Sequence, residues 1–338
     1  MIGGKGAREP GSEGVRSQGP LSQLASIIRA FRAEKWSTCV DLAEAHPYEH
    51  IALYWVAKGV SLENLGRLPE AVEAWKRASA LSPRRECRLG WALNRCARYE
   101  EARVSFKRAC LIDSGDVLAW VGLAAACSSL GLKAETTQAL EQALLLEPDN
   151  DEAAYNLAVV VWREDSGRAI DLLRTAIRQD GEEWTYRLML GELLVDAKNF
   201  DEAEGHLKLA SLLAPHEWRA HVALGAVHRS RKNWTEALNC YRQAHEAAPS
   251  SAEPLVWMGL VQRRMEAHGD AQRSFAAAHA LEPDDMEVVF LLGRACVEIG
   301  ELERGRALLH QVAAFGPESD WFDESLGLLN RTMSEERD

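Results

Sequence analysis

Apolar residues along this chain recur at helical spacing, and the helices they predict come in pairs. In the stretch 190–210, Leu190, Leu193 and Leu194 fall three to four residues apart, and Ala203, Leu207 and Ala210 do the same. Between the two runs lies Asp196-Ala197-Lys198-Asn199-Phe200, polar and turn-like. The pattern is helix, tight turn, helix, and it returns along the chain. Prolines and turn residues closing the Ala/Leu-rich runs stand at Pro83, Ser114, Pro148, Gly181, Pro215, Pro249, Pro283 and Pro317, separated by 31, 34, 33, 34, 34, 34 and 34 residues. Pro suits these places because it cannot continue a helix.

Three further residue classes keep this period. Small residues recur at Ala71, Ala102, Thr136, Ala169, Ala203, Ala237, Ala271 and Gly305, and a second small series runs from Gly59 to Gly293. A third runs from Ala78 to Val312. Helices approach closely only where side chains are short, so Gly225 and Ala237 are expected to face each other within one pair, with Tyr241 filling the wider gap beside them. Four classes sharing a period near 34 mark an internal repeat.

The period places eight full units at 52–82, 83–116, 117–149, 150–183, 184–217, 218–251, 252–285 and 286–319. The first is three residues short near Pro83, and the fourth is one short in its turn at Asp165-Ser166-Gly167. A degenerate helix pair precedes them at 20–51. A single closing helix is expected at 320–331 with Asp320 as its N-cap, then a tail at 332–338. Residues 1–19, with six Gly and one Pro, read as a flexible tail and lack the apolar segment of a secretory signal.

The repeat resembles the tetratricopeptide repeat family over about residues 20–331, whose pattern is Trp, Leu-Gly, Tyr, Ala, Phe, Ala and Pro at set spacings. The stretch from Trp218 carries Leu224-Gly225, Ala237, Tyr241, Ala244 and Pro249. The stretch from Ala52 carries Trp55, Gly59, Ala71, Trp75, Ala78 and Pro83, and that from Val117 carries Trp120, Leu123, Leu140, Ala143 and Pro148. The resemblance implies an all-α fold, a right-handed α-solenoid of stacked antiparallel helix pairs forming one superhelix. It also puts Trp55, Trp75 and Trp120 at packing positions.

Composition narrows the function. The chain has 338 residues, 47% apolar and 27% charged, with 51 Asp and Glu against 39 Lys and Arg. A net charge of −12 weighs against nucleic acid and anionic membrane surfaces, which need cations. No apolar run reaches the roughly 18 residues of a membrane span. The seven cysteines form no CxxC pair, and read as small buried hydrophobes in a reducing compartment. With no export signal, the expected location is the cytoplasm.

Catalytic signatures are absent: no Walker-type GxxxxGK[ST], no HExxH and no GxSxG occur. Five of the ten His lie between His206 and His245, with His221 and His228 seven apart on one helix. They read as interface histidines, because no third and fourth ligand accompanies them. No cofactor is expected. A metallohydrolase using the His206–His245 group is the least favoured alternative.

What remains is surface. In the family, the first helix of each pair lines the concave face. Register then places Trp91 and Arg95, then Tyr155, Asn156, Trp162 and Arg163, then Arg229, Arg263, Arg264 and Arg294 on that lining. The lining is aromatic in the middle and arginine-rich from Arg219 onward. Arg donates two hydrogen bonds from a planar fork, which suits carboxylates. The competing reading pairs these arginines internally with Glu253, Glu287 and Glu298. The carboxylate clamp that some family members close on chaperone tails is incomplete: Asn156 matches one place, but Val121 and Ala125 stand where Lys and Asn are needed. The expectation is a non-catalytic scaffold gripping a peptide segment, with apolar affinity from Trp91, Tyr155 and Trp162 and orientation from the arginine wall. The alternative is a sensor whose superhelix changes pitch on binding a signal peptide.

Overall fold

The computed structural model describes residues 20–315 and 321–334. The tail expected over 1–19 and the cap expected at Asp320 lie outside these residues. The described residues form nineteen α-helices and no strand, and no helix among them is long and apolar enough to cross a membrane. Contacts divide the chain into two compact units, Met1–Pro148 and Asp149–Asp338, although the sequence period runs through the boundary unbroken. Each unit is an all-α solenoid in which every helix packs on the next.

The first unit holds α1 (Pro20–Arg32), α2 (Trp36–Ala45), α3 (Ala52–Asn64), α4 (Leu68–Leu81), α5 (Glu86–Arg95), α6 (Tyr99–Ile112), α7 (Val117–Ser129) and α8 (Lys133–Leu146). The second holds α9 (Asp151–Val161), α10 (Ser166–Gln179), α11 (Trp184–Asp196), α12 (Phe200–Leu213), α13 (Trp218–Ser230) and α14 (Trp234–Ala247). It continues with α15 (Glu253–Arg264), α16 (His268–Leu281), α17 (Met286–Glu298), α18 (Leu302–Phe315) and α19 (Phe322–Ser334). The final helix runs past Arg331, where a tail was expected, because Thr332-Met333-Ser334 contains no Gly or Pro to stop it.

The pairing rests on one steric relation. A Cβ placed on Gly225 would come within 2.4 Å of the Tyr241 ring. At Gly259 it would meet Phe275 at 2.5 Å, at Gly90 Phe106 at 2.7 Å, at Gly59 Trp75 at 2.9 Å and at Gly191 Leu207 at 2.4 Å. In each case the glycine sits on the first helix and the large residue sixteen positions later on the second. Gly225 thus meets the Tyr241 ring, which the sequence placed beside it, at very close range. It makes room for the Tyr241 ring itself, which is fully buried.

The turn inside each pair has its own signature. Glu34, Gly66, Ala97, Gly131, Lys198, Lys232, Glu266 and Gly300 all have φ between 55° and 85°. The left-handed residue turns the chain so that the next amide reaches back to the helix, as when Asn199 N donates to Leu194 O at 2.8 Å and Asn233 N to His228 O at 2.9 Å. The pair α9–α10 lacks this residue, which accounts for its missing position. There Asp165 caps α10 by accepting from the Arg168 amide at 2.8 Å. Within the first unit, the short repeat at 52–82 is joined to the next by a 3₁₀ turn at Pro83–Arg85, and α5 is only 10 residues long.

The tryptophans divide. Trp75 is buried, whereas Trp55, packed on the core cluster around Tyr54, and Trp120 are half-buried. The indoles of these two also cap the preceding turn: Trp55 Nε1 donates to Glu49 O and Trp120 Nε1 to Ser114 O, both at 2.9 Å. At the same place in later pairs, Arg187 Nε donates to Gly181 O at 2.8 Å. The seven cysteines are free thiols, four of them buried. Burial pushes Cys87 and Cys110 up to about 12, so these thiols stay protonated and unreactive.

Two predictions test this framework. Gly225→Val should destabilise the second unit by roughly 1–3 kcal/mol through overpacking against Tyr241. Gly205→Ala, on an exposed stretch of α12 with open space around the new methyl, should stabilise it by up to about 1 kcal/mol. Thermal melts of the two variants should move in opposite directions. Glu204 offers a pH test, because hydrogen bonds from Lys208, then Arg231, hold its carboxyl down at about 2. A depressed folded pKa stabilises above the unfolded value near 4.5, and the contribution is lost as pH falls through 2. Glu204→Gln should cost about 1–3 kcal/mol at pH 7 and almost nothing at pH 2, read from denaturant midpoints at both.

Candidate functional site

Of the residues singled out by register, Trp91 and Arg95 belong to the first unit and the other eight to the second. Both of the former lie on α5. The Trp91 ring meets Phe106 edge-on with centroids 5.4 Å apart, and Arg95 Nη1 lies 3.6 Å from Glu63 Oε2.

In the second unit the odd-numbered helices bring the remaining residues onto one wall. At its start, a cleft of about 430 Å³ is lined by Tyr155, Val159, Trp162, Trp184, Leu188 and Arg219, among others. Tyr155 is half-buried and packs at 4.9 Å on Tyr186, whose hydroxyl is anchored to Asp151 Oδ2 at 3.1 Å. Burial raises the Tyr155 hydroxyl above its ordinary value. Trp162 caps the C-terminus of α9, and the Arg163 guanidinium lies 5.0 Å over its ring. Asn156 is half-buried on α9 between Tyr155 and the core residue Leu157. The cleft passes into a second of about 410 Å³, which shares Glu192, Asp196 and Arg219 and reaches Trp257. Burial raises the Glu192 carboxyl, although Arg219 Nη2 at 3.4 Å opposes the shift.

Beyond Trp257 the wall becomes basic. A cleft of about 680 Å³ is lined by Arg229, Trp234, Leu260, Arg263 and Arg264, among others. The Arg229 guanidinium stacks 4.5 Å from the Trp257 ring centre, a cation–π contact that fixes its plane. It lies near the Tyr241 hydroxyl, which burial pushes up to about 12 against the pull of that charge. The four arginines differ in what meets them. Arg263 Nε and Arg294 Nε both reach Glu298 Oε1 at 3.2 Å, and Arg294 Nη1 reaches Glu324 Oε1 at 2.7 Å. His268 Nδ1 lies 3.3 Å from the other Glu298 oxygen. Burial, and next the Arg294 charge, push the Arg263 guanidinium below its ordinary value. Among the described residues Arg229 and Arg264 form no ion pair, and the buried Nε of Arg229 has no hydrogen-bond partner.

Internal pairing is therefore true of half of the cluster. Glu298 supplies it, while Glu253 instead meets the Trp257 indole at 3.3 Å. Two participants escaped the sequence. Trp257 lies off the register used for the lining, and Glu324 sits on α19, which has no repeat partner to align it. Among the described residues, no three of His, Cys, Asp or Glu converge as a metal-holding group. His221 Nε2 instead lies 3.4 Å from Pro215 O, the role that Arg187 fills one pair earlier.

Tetratricopeptide repeat family profiles match residues 163–211, 218–251 and 262–323. Among solved structures, PilF of Pseudomonas aeruginosa is similar at 19% identity and a TM-score of 0.55, over 64% of this chain and 98% of that one. A tetratricopeptide repeat protein from Parabacteroides merdae gives 17% and 0.52, over 72% and 98%. A chain of the APC/C Cut9–Hcn1 hetero-tetramer gives 14% and 0.55, over 94% of this chain and 63% of that one. At these identities the likeness speaks for the fold. No curated protein sequence matches.

The division among the arginines is measurable. Arg294→Gln removes contacts to two carboxylates and should cost about 0.5–1.5 kcal/mol. Arg264→Gln removes none and should stay within about 0.5 kcal/mol. Thermal melts of the two single variants check this.

Proposed function

We propose that this chain, which belongs to the tetratricopeptide repeat family, is a protein–protein interaction scaffold that grips a peptide segment of its partner along the odd-numbered helices of the second unit. The observation that carries the reading is two clefts that share Glu192, Asp196 and Arg219, followed by a third that the Arg229–Trp257 stack links to them. They lead from Tyr155 and Trp162, past Arg219, to Arg229 and Arg264. Half-buried aromatic rings give large contact area at low entropic cost, which is why such residues dominate interface energetics. The arginines give direction by meeting charge at one end. Trp91 and Arg95 of the first unit offer a second, smaller contact of the same kind.

The chemistry of the clefts favours holding over turnover. The clefts are lined mostly by rings, aliphatic side chains and guanidinium groups, which bind and orient, with Glu192 and Asp196 as the carboxylates that the first two share. Repeat arrays of this type present an extended surface in which each pair adds one strip of contacts, so a partner segment is read strip by strip.

The test is proximity labelling followed by quantitative capture with purified protein. Tyr155→Ala with Trp162→Ala should weaken capture of the labelled partners at least tenfold, equivalent to about 1.4 kcal/mol, while the helical melt persists. Partners retained at full affinity by the double variant would place binding elsewhere on the molecule.

A further inference from the structure

Arg229 and Arg263 are penultimate residues of their helices, α13 and α15, and stand 34 positions apart. The residue that meets Arg263 is Glu298, the last residue of α17, 35 positions on. The same step from Arg229 leads to Arg264, the last residue of α15. The fold therefore offers one slot twice. In one copy a carboxylate fills it and closes an ion pair at 3.2 Å. In the other an arginine fills it, so Arg229 and Arg264 line one cleft with Arg263, whose carboxylate is Glu298, and with Glu266.

Like charges in such a slot repel, and Glu266, which borders the same cleft, forms no ion pair with either arginine, which leaves room for a counter-ion. Arg229 is not free to leave, because its plane is held on Trp257 and its Nε is buried beside the Tyr241 hydroxyl. Arg264 is exposed and can swing toward an incoming group. We propose that the cleft between Arg229 and Arg264 is a binding subsite for a carboxylate side chain of the partner segment. This rests on the scaffold reading above and names the chemistry of one end of that groove.

A carboxylate is the anion the wall itself favours. Arg219 is met by Glu192, Arg263 by Glu298, and Arg294 by Glu298 and Glu324. The incoming group takes the place that Glu298 holds one pair later, sitting between the two guanidinium planes. Leu260 and Trp234 on the same cleft suit an apolar residue beside the acidic one. Arg263 and Arg294 are excluded as ligand-binding cations because their carboxylates are already in place.

The experiment follows the arginine Nε–Hε resonances by NMR in the full chain during titration with acetyl-Leu-Glu-Glu-Leu-amide, with its Gln-Gln counterpart, and with inorganic phosphate. The Glu peptide should shift Arg229 and Arg264 saturably below about 10 mM, and Arg263 and Arg294 at least fivefold less. The Gln peptide should leave all four in place. Arg264→Glu should abolish the response at Arg229 by creating within the chain the pair that Arg263 makes with Glu298, with a melting temperature unchanged or raised. Arg264→Gln should weaken the response without changing the melt. No movement at Arg229 and Arg264, or equal movement at all four, overturns the subsite. A stronger response to phosphate than to the Glu peptide overturns its assignment to carboxylate. Loss of this response would leave capture through Tyr155 and Trp162 standing, so the two readings fail separately.

Discussion

The close approach of a small residue on the first helix to a large one on the second is the constraint on which the rest of each unit depends. The ring or Leu branch sixteen positions after each glycine occupies the space that a Cβ would fill, which fixes the distance and the rotation between the two helices of a pair. Gly122 extends the relation across pairs: it too lies on Phe106, so one ring is gripped by glycines from α5 and α7. Because the core between helices is settled largely by these few positions, the outward face of each first helix is freer to vary. Its side chains range from Tyr155 to Arg229 to Arg294, and such variety is what lets a repeat array present a binding surface.

Charge on that wall follows from the same geometry. The chain has twelve more acidic than basic residues, yet carboxylates do not swamp the arginines, because register decides which of them meet. Glu298 sits at a helix end where it reaches Arg263 from the side and Arg294 from one turn away. Partly buried pairs of this kind hold the arginines in place at modest net gain, since each partner gives up water to form them. The difference between an arginine paired within the chain and an unpaired one here is one residue at the adjacent helix end, glutamate or arginine.

Much of this was legible in the sequence. Period, helix pairs, the buried Ala series and the short turn at Asp165 all follow from residue spacing, because each reflects packing repeated at nearly the same place. Local consequences of packing were harder to read. Gly225 shows that a residue is small, but not how closely a ring approaches it. Trp55 and Trp75 look alike as letters. One caps a turn and the other fills the core, because a half-buried indole satisfies its N–H on a nearby carbonyl. The candidate site was legible only as a set of positions. Which arginines are paired depends on Glu298 and Glu324, and the latter belongs to a helix with no equivalent in the repeat to predict its placement.

A repeat supplies its own control for each side chain, and this separates structural from functional residues. Trp55, Trp120, Arg187 and His221 differ in chemistry, yet each places a ring or guanidine nitrogen on the carbonyl six residues before it. Their identities are interchangeable because the role belongs to the position. Arg263 likewise answers to a role, closing onto the carboxylate at the end of the next first helix. Arg229 occupies that position and meets no such carboxylate, because Arg264 stands where one would be. A residue in a repeated position without the partner its counterpart has is not explained by the scaffold. At Arg229 that residue is a guanidinium group held in place on Trp257, beside the buried Tyr241 hydroxyl and without an ion pair among the described residues.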